Sequence, residues 1–171
     1  TFSSRGLGDV YKRQSLYDGA TSVAEAISVA INKTKRDNVV ISNGFNPNTK
    51  EVVNTLIDRN KFKVNYVDLI DYLFPEDYVF SQEDAAFVVS LPHYEGSAQD
   101  LTSIVQNAKA AGVVTICYAD PSMLGILKSP GSMGFDIVVA EGQSMGSPLS
   151  FGGPTVGWFA TRKELARLVP G

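Results

Sequence analysis

Residues Tyr118–Thr161 read YADPSMLGILKSPGSMGFDIVVAEGQSMGSPLSFGGPTVGWFAT, and the order of patterns in this stretch decides the fold. An apolar strand closes on Asp120, PSMLGILKS has a helical pattern opened by a proline, and DIVVAEG forms a second apolar strand ending at Gly142. A glycine-rich loop, QSMGSPLSFGGP, leads to the aromatic strand TVGWFAT and to a last helix beginning near Arg162. Short β-branched runs that alternate with helical patterns indicate βαβ units, hence an α/β fold with a largely parallel sheet covered by helices.

Outward from this stretch the alternation continues. Asp18 is placed to cap a helix over ATSVAEAISVAI, which ends in the basic turn Lys33 to Arg36. The strand NVVISN precedes a helix over NPNTKEVVNTLIDRN, with Asn46 as cap and Pro47 early in it, where its missing N–H costs nothing. Strand KVNYVDL, an irregular aromatic stretch from Tyr72 to Phe80 and strand Ala85 to Leu91 follow. The turn PHYEGSAQ then leads to a helix over DLTSIVQNAKAAG that ends on Gly112, and to the strand VVTICYAD. At least five strands and about five helices are expected.

The beginning of the chain breaks the pattern. SRGLGDVYKRQ, Ser4 to Gln14, has neither helical nor strand period and no apolar run of the kind a secretory leader needs. Its codons can be written as a string that looks like the adapter of transposase-based sequencing libraries. Thr1 to Gln14 is therefore read as a translated artefact, and residues 15–171 as one partial domain.

Composition excludes several classes of function. Fifteen basic against eighteen acidic residues give a net charge of −3, which offers no electrostatic case for nucleic acid or an anionic membrane. The longest apolar runs fall far short of the roughly 20 residues that span a bilayer. With one His and one Cys there is no zinc or other metal constellation, no disulfide framework and no Cys/His nucleophile pair. Cys117 lies in an apolar run and reads as a small buried hydrophobe. No GxGxxG follows the first strand, no GKS or GKT occurs, and no Ser/His/Asp set suggests a hydrolase.

Ligands of open α/β sheets gather at the carboxyl ends of strands, so the residues just beyond each strand are the candidates. Asp120 either caps the following helix or faces the protonated ring nitrogen of pyridoxal phosphate. The start Tyr17-Asp18-Gly19-Ala20-Thr21 is either a capped helix end or an anion site to which Tyr17 adds a hydroxyl. In FGGPT, Gly152 and Gly153 allow close backbone approach and Thr155 carries a hydroxyl for a partner's phosphate; the alternative is a plain turn. His93 reads as a surface or capping histidine rather than a catalytic base.

SLYDGATSVAEA, the stretch Tyr118–Thr161 and the closing LVPG together resemble the P-protein family of the glycine cleavage system, glycine dehydrogenase (decarboxylating), and within it the separate first subunit. The resemblance covers nearly all of residues 15–171, is most specific from Gly134 to Thr161 and is weakest from Tyr66 to Phe80.

What the resemblance implies is an aminotransferase-like, fold-type-I large domain without its small carboxy-terminal domain and extreme amino terminus. It also implies pyridoxal-phosphate-dependent decarboxylation of glycine in the cytoplasm, with transfer of the aminomethyl group to the lipoylated H-protein. Asp120 matches the family's acid, but Ser144 occupies the position of the Schiff-base lysine, which fits a subunit that carries no catalytic residue. The resemblance puts the cofactor on glycine dehydrogenase subunit 2. Asp120 is then a vestige of a cofactor pocket, while Tyr17, Asp18, Gly152, Gly153 and Thr155 are candidates for the substrate site and subunit interface. Glu95, just before Gly96, stands where catalytic members place a ring over the cofactor, and Lys128 reads as solvated. The other classes are an independent pyridoxal-phosphate lyase or aminotransferase-like enzyme and a non-catalytic binding module of the same fold.

Overall fold

Every residue of the strand Asp84–Leu91 is buried, as a strand must be when helices cover both faces of its sheet. The computed structural model describes residues 11–58 and 60–169. In chain order the strands are β1 Tyr11–Leu16, β2 Asn38–Ser42, β3 Lys63–Val67, β4 Asp84–Leu91, β5 Val114–Ala119, β6 Ile137–Glu141 and β7 Gly157–Thr161. They form one sheet in the order β1-β7-β6-β5-β4-β2-β3. From β3 to β6 all neighbours are parallel, whereas β7 runs antiparallel to both β6 and β1.

The alternation of side chains along each strand divides the core in two. Val39, Ile41, Val88, Ile116, Ile137, Val139 and Phe159 face a layer built from helix α1 (Gly19–Thr34), which contributes Val23, Ala26, Ile27 and Ala30. Helix α2 (Pro47–Leu56) packs beside α1 and adds Val53. Val40, Phe87, Val89, Cys117, Val138 and Ala160 face the other layer, where helix α3 (Thr102–Ala110) supplies Ile104, Val105 and Ala108. There the irregular stretch before β4 contributes Phe74 and Phe80, both packed at about 5 Å ring separation on Phe87. Opposite the strand ends that matter for function, Arg36 Nη1 donates to the carbonyls of Asp84, Ala111 and Gly112 at 3.0, 3.0 and 3.1 Å, tying the exit of α1 to the far edge of the sheet.

Two sequence expectations change. PSMLGILKS is not a helix but a 3₁₀ segment, Pro121–Gly125, followed by the single-turn helix α4, Pro130–Met133; Gly125 and the second proline break the helical ladder. The expected last helix is likewise 3₁₀, Lys163–Leu168. The sequence sets Thr1 to Gln14 apart as an artefact. Residues 1–10 lie outside the described residues, but Tyr11 to Gln14 pair with β7 between Thr161 and Trp158. A free strand edge pairs through its backbone, so the ladder forms without the side-chain alternation that sequence patterning detects.

Close packing fixes α1 against β7. A Cβ on Gly157 would stand 2.1 Å from Ser22 Oγ and 2.3 Å from the Asp18 carbonyl oxygen. Gly157→Ala is therefore expected to lower stability by about 2–3 kcal/mol, because backbone has to move to admit the methyl group; urea unfolding checks this, and an unchanged midpoint would contradict the packing.

Candidate functional site

The parallel strands place the carboxyl ends of β2, β4, β5 and β6 along one edge, and the reversed β7 brings its amino end there too. Leu16 pairs with Gly157, so the start of α1 joins the same edge. Between these ends lies a cleft of about 330 Å³ whose walls are Ser90 to Tyr94, Tyr118 to Asp120, Glu141 with Gln143 and Ser144, and Asn46 and Thr49 at the start of α2.

Asp120 caps the 3₁₀ segment that follows β5: its Oδ1 accepts from Ser122 N at 2.9 Å and Ser122 Oγ at 2.8 Å. Ser144, in the one-turn 3₁₀ helix Gln143–Met145, points its Oγ at the same carboxylate oxygen from 3.5 Å. The residues that sequence register matched to the acid and to the lysine thus stand next to each other.

Asp18 caps α1 as expected, accepting from Thr21 N at 2.7 Å, while Thr21 Oγ1 accepts from Asp18 N at 3.3 Å in a closed capping box. Gly19 N donates to Glu141 Oε2 at 2.8 Å and Ser22 N to the Asp18 carbonyl at 3.1 Å. Three of the first N–H groups of α1 therefore have acceptors within the chain, and the anion at this helix end is Glu141. Tyr17 stands 88% exposed on the rim. Thr155 Oγ1 donates to the Tyr17 carbonyl at 2.8 Å, so these two candidates are joined and the hydroxyl of Thr155 already has an acceptor. Gly152, at φ +109°, and Gly153 lie on the same loop with open space around the Cα atoms. Leu149 and Phe151 project beside them into solvent.

Glu141 is the functional residue that sequence reading missed. Its Oε1 accepts from Gln143 N at 3.0 Å and Val156 N at 3.1 Å, so one carboxylate holds α1, the exit of β6 and the entrance of β7 together. An acid in the last position of an otherwise apolar strand was the signal. Tyr118 packs over this region, stacked on Phe45 with ring centroids 5.8 Å apart; burial and then the carboxylates of Glu141, Asp18 and Asp120 push its phenol up to about 12.

His93 corrects the expectation of a surface or capping histidine. It is 1% exposed, borders the cleft, and neither ring nitrogen has a hydrogen-bond partner among the described residues. The turn folds inward because His93 N donates to the Ser97 carbonyl and Tyr94 N to the Gly44 carbonyl, both at 2.8 Å. Burial pushes the imidazole down, and the Glu95 carboxylate opposes this. Glu95 itself does not border the cleft; it lies beside Asn43, Asp68 and Asp71, and Tyr94 is the aromatic residue of this turn on the cleft wall.

Pyridoxal phosphate does not fit these residues unaided. Among the described residues lining the cleft there is no Lys to form an imine and no Lys or Arg to meet a phosphate, while Asp120 and Glu141 both repel one. Lys128 points elsewhere, paired with Asp100 at 3.0 Å and Thr102 at 2.7 Å. Hydrogen bonds from Thr102 and then Lys128 hold the Asp100 carboxyl down at about 2. Cys117 is buried in the core, where burial pushes its thiol up. Among the described residues no cluster of His, Cys, Asp and Glu is placed to hold a metal ion, and no helix is long and apolar enough to cross a membrane.

Comparison with known proteins agrees on one family. Residues 9–171 match the family described as glycine cleavage system P-protein. Probable glycine dehydrogenase (decarboxylating) subunit 1 of Desulforamulus reducens is 39% identical over 160 residues, and that of Staphylococcus haemolyticus 42% over 161. In each case the alignment covers 92% of this chain and 36% of the relative, so the chain spans about a third of the length of these proteins. The crystal structure of glycine decarboxylase (P-protein) of the glycine cleavage system in inhibitor-bound form superposes with a TM-score of 0.87 at 38% identity, over 92% of this chain and 36% of that one. A methionine gamma lyase from Micromonospora echinospora, at 17% identity and TM-score 0.69 over 90% of this chain and 40% of its own, shares the fold.

Two outcomes follow from this geometry. Glu141→Ala leaves three N–H groups without their acceptor and is expected to cost about 3 kcal/mol, with faster hydrogen exchange at Gly19, Gln143 and Val156. Because the folded-state pKa of His93 is depressed, the unfolded chain takes up the proton first, so stability falls as pH drops below the ordinary imidazole value of 6.5. Urea midpoints measured against pH should lose that component of their slope in His93→Gln.

Proposed function

Since the chain belongs to the P-protein family of the glycine cleavage system, we propose that it is part of the glycine decarboxylase subunit that lacks the cofactor lysine. In this reading it works in a cytoplasmic two-subunit complex with glycine dehydrogenase subunit 2. The single observation that carries it is Ser144, just beyond β6 and facing Asp120: the position that the resemblance matches to the cofactor lysine has a hydroxyl. A serine hydroxyl forms no imine with an aldehyde, so the lysine and the cofactor belong to the partner, where pyridoxal phosphate supplies an electron sink for glycine decarboxylation.

The residues of this chain then shape and close a shared site. The segment Gln143 to Val156 leaves β6 and returns to β7, with both ends fixed by Glu141, and presents Leu149, Phe151, Gly152 and Gly153 outward. Such an exposed apolar tip suits burial against a second subunit. Tyr17, held by Thr155, adds an aromatic ring and a hydroxyl on the same rim, near which glycine and the lipoyl arm of the H-protein would pass. The chain binds, orients and excludes water; the covalent chemistry lies across the interface, and this chain alone is inactive.

Exchange of labelled bicarbonate into glycine, with the full-length protein, subunit 2 and lipoylated H-protein, tests this. Exchange is expected only with both subunits, and Tyr17→Phe is expected to lower it about tenfold, the loss of one hydrogen bond in a desolvated site. Exchange by subunit 2 alone would remove this chain from the reaction. In the isolated chain, Ser144→Lys is expected to give no imine absorbance with pyridoxal phosphate, because no cation lines the cleft to hold the phosphate.

A further inference from the structure

The cleft of this chain has the chemistry of a binding site although it lacks that of a cofactor site. A buried imidazole without partners forgoes the hydrogen bonds that water gave it, and buried polar groups in folded proteins nearly always meet a protein group or a bound water. His93 is such a group, 1% exposed, with both nitrogens unpartnered among the described residues, on the cleft wall. A neutral imidazole offers one donor and one acceptor.

The remaining wall is polarised. At one side stands Asp120, whose carboxylate accepts only from the neutral groups Ser122 N, Ser122 Oγ and Ser144 Oγ and forms no ion pair among the described residues. Glu141 adds a second negative charge on that side. At the other, Asn46 caps α2, a ten-residue helix, its Oδ1 accepting from Asn48 N at 2.9 Å, and Thr49 stands in the first turn, where the helix dipole has its positive pole. The volume, about 330 Å³, is at the lower end of small-molecule sites.

We propose that this cleft is a second, non-covalent site for a small zwitterionic amino acid, its ammonium at Asp120 and its carboxylate at the start of α2 beside His93. The polarity excludes a phosphate dianion, which would face two carboxylates, and a simple cation, which would meet the positive pole of α2. The proposal rests on the reading that the lysine and cofactor lie on the partner, for it makes this cleft distinct from the reacting one. A site that senses free amino acid beside a site that consumes it would let this subunit report substrate supply to its partner.

The test uses the full-length protein in complex with subunit 2, with the partner's cofactor imine reduced by borohydride so that the partner's glycine site is closed. Equilibrium dialysis with labelled glycine is expected to show one residual saturable site per pair of subunits. Asp120→Asn keeps the cap of the 3₁₀ segment but removes the charge, and should weaken that binding about tenfold; Thr49→Val, an isosteric change at the other end, should weaken it several-fold. Methylamine and acetate, each carrying half of the zwitterion, should compete only weakly. No saturable binding after reduction would overturn the proposal, as would residual binding unaffected by both variants. Bicarbonate exchange by the same complex before reduction reports separately on the role proposed above.

Discussion

One carboxylate holds together everything that happens at the edge of this sheet. Glu141 ends a strand whose other residues are core, and from there it accepts hydrogen bonds from the first turn of α1, from the residue that begins the loop after β6 and from the residue that ends it. Charge-assisted bonds to three backbone N–H groups make an anchor that none of the three segments could form alone. Its place at the amino end of α1 also sets an electrostatic condition: the positive pole of that helix is already neutralised from within. Tyr118, pressed between Phe45 and this carboxylate, remains a neutral phenol over the physiological range.

The two-layer core was legible in the sequence because strand and helix leave different periods. β4 and β5 read as continuous apolar runs, and α1 announced itself through Asp18 and through small and apolar residues at helical spacing. The same logic failed for PSMLGILKS, where side-chain periodicity suggested a helix but Gly125 and Pro130 denied it a continuous ladder. Strand direction was not legible either: the antiparallel course of β7 depends on which edge the returning chain meets, and local composition does not encode that.

At the site, identity and neighbourhood behaved differently. Register puts Ser144 at the position that the resemblance matches to a lysine, and the structure sets its hydroxyl 3.5 Å from Asp120 Oδ1. The buried position of His93 was not visible, because a histidine in a polar, proline- and glycine-containing turn looks solvent-exposed until the backbone bonds at Ser97 and Gly44 are known to fold it inward. Nor was it visible that Glu95 turns away from the cleft and Tyr94 borders it. Turns conceal such alternatives because no fixed period assigns their side chains to a face, whereas in a strand the pleat does.

The reversal at β7 separates two kinds of evolutionary freedom. Because the segment between Gln143 and Val156 leaves and re-enters the sheet at neighbouring strands, with both feet on one carboxylate, its tip can lengthen, shorten or change composition while the register of seven strands stays the same. Exposed residues such as Leu149 and Phe151 can therefore change without passing through unstable intermediates of the fold. Under the proposed function, pairing fidelity between subunits would be written in this short excursion, independently of the core that carries it.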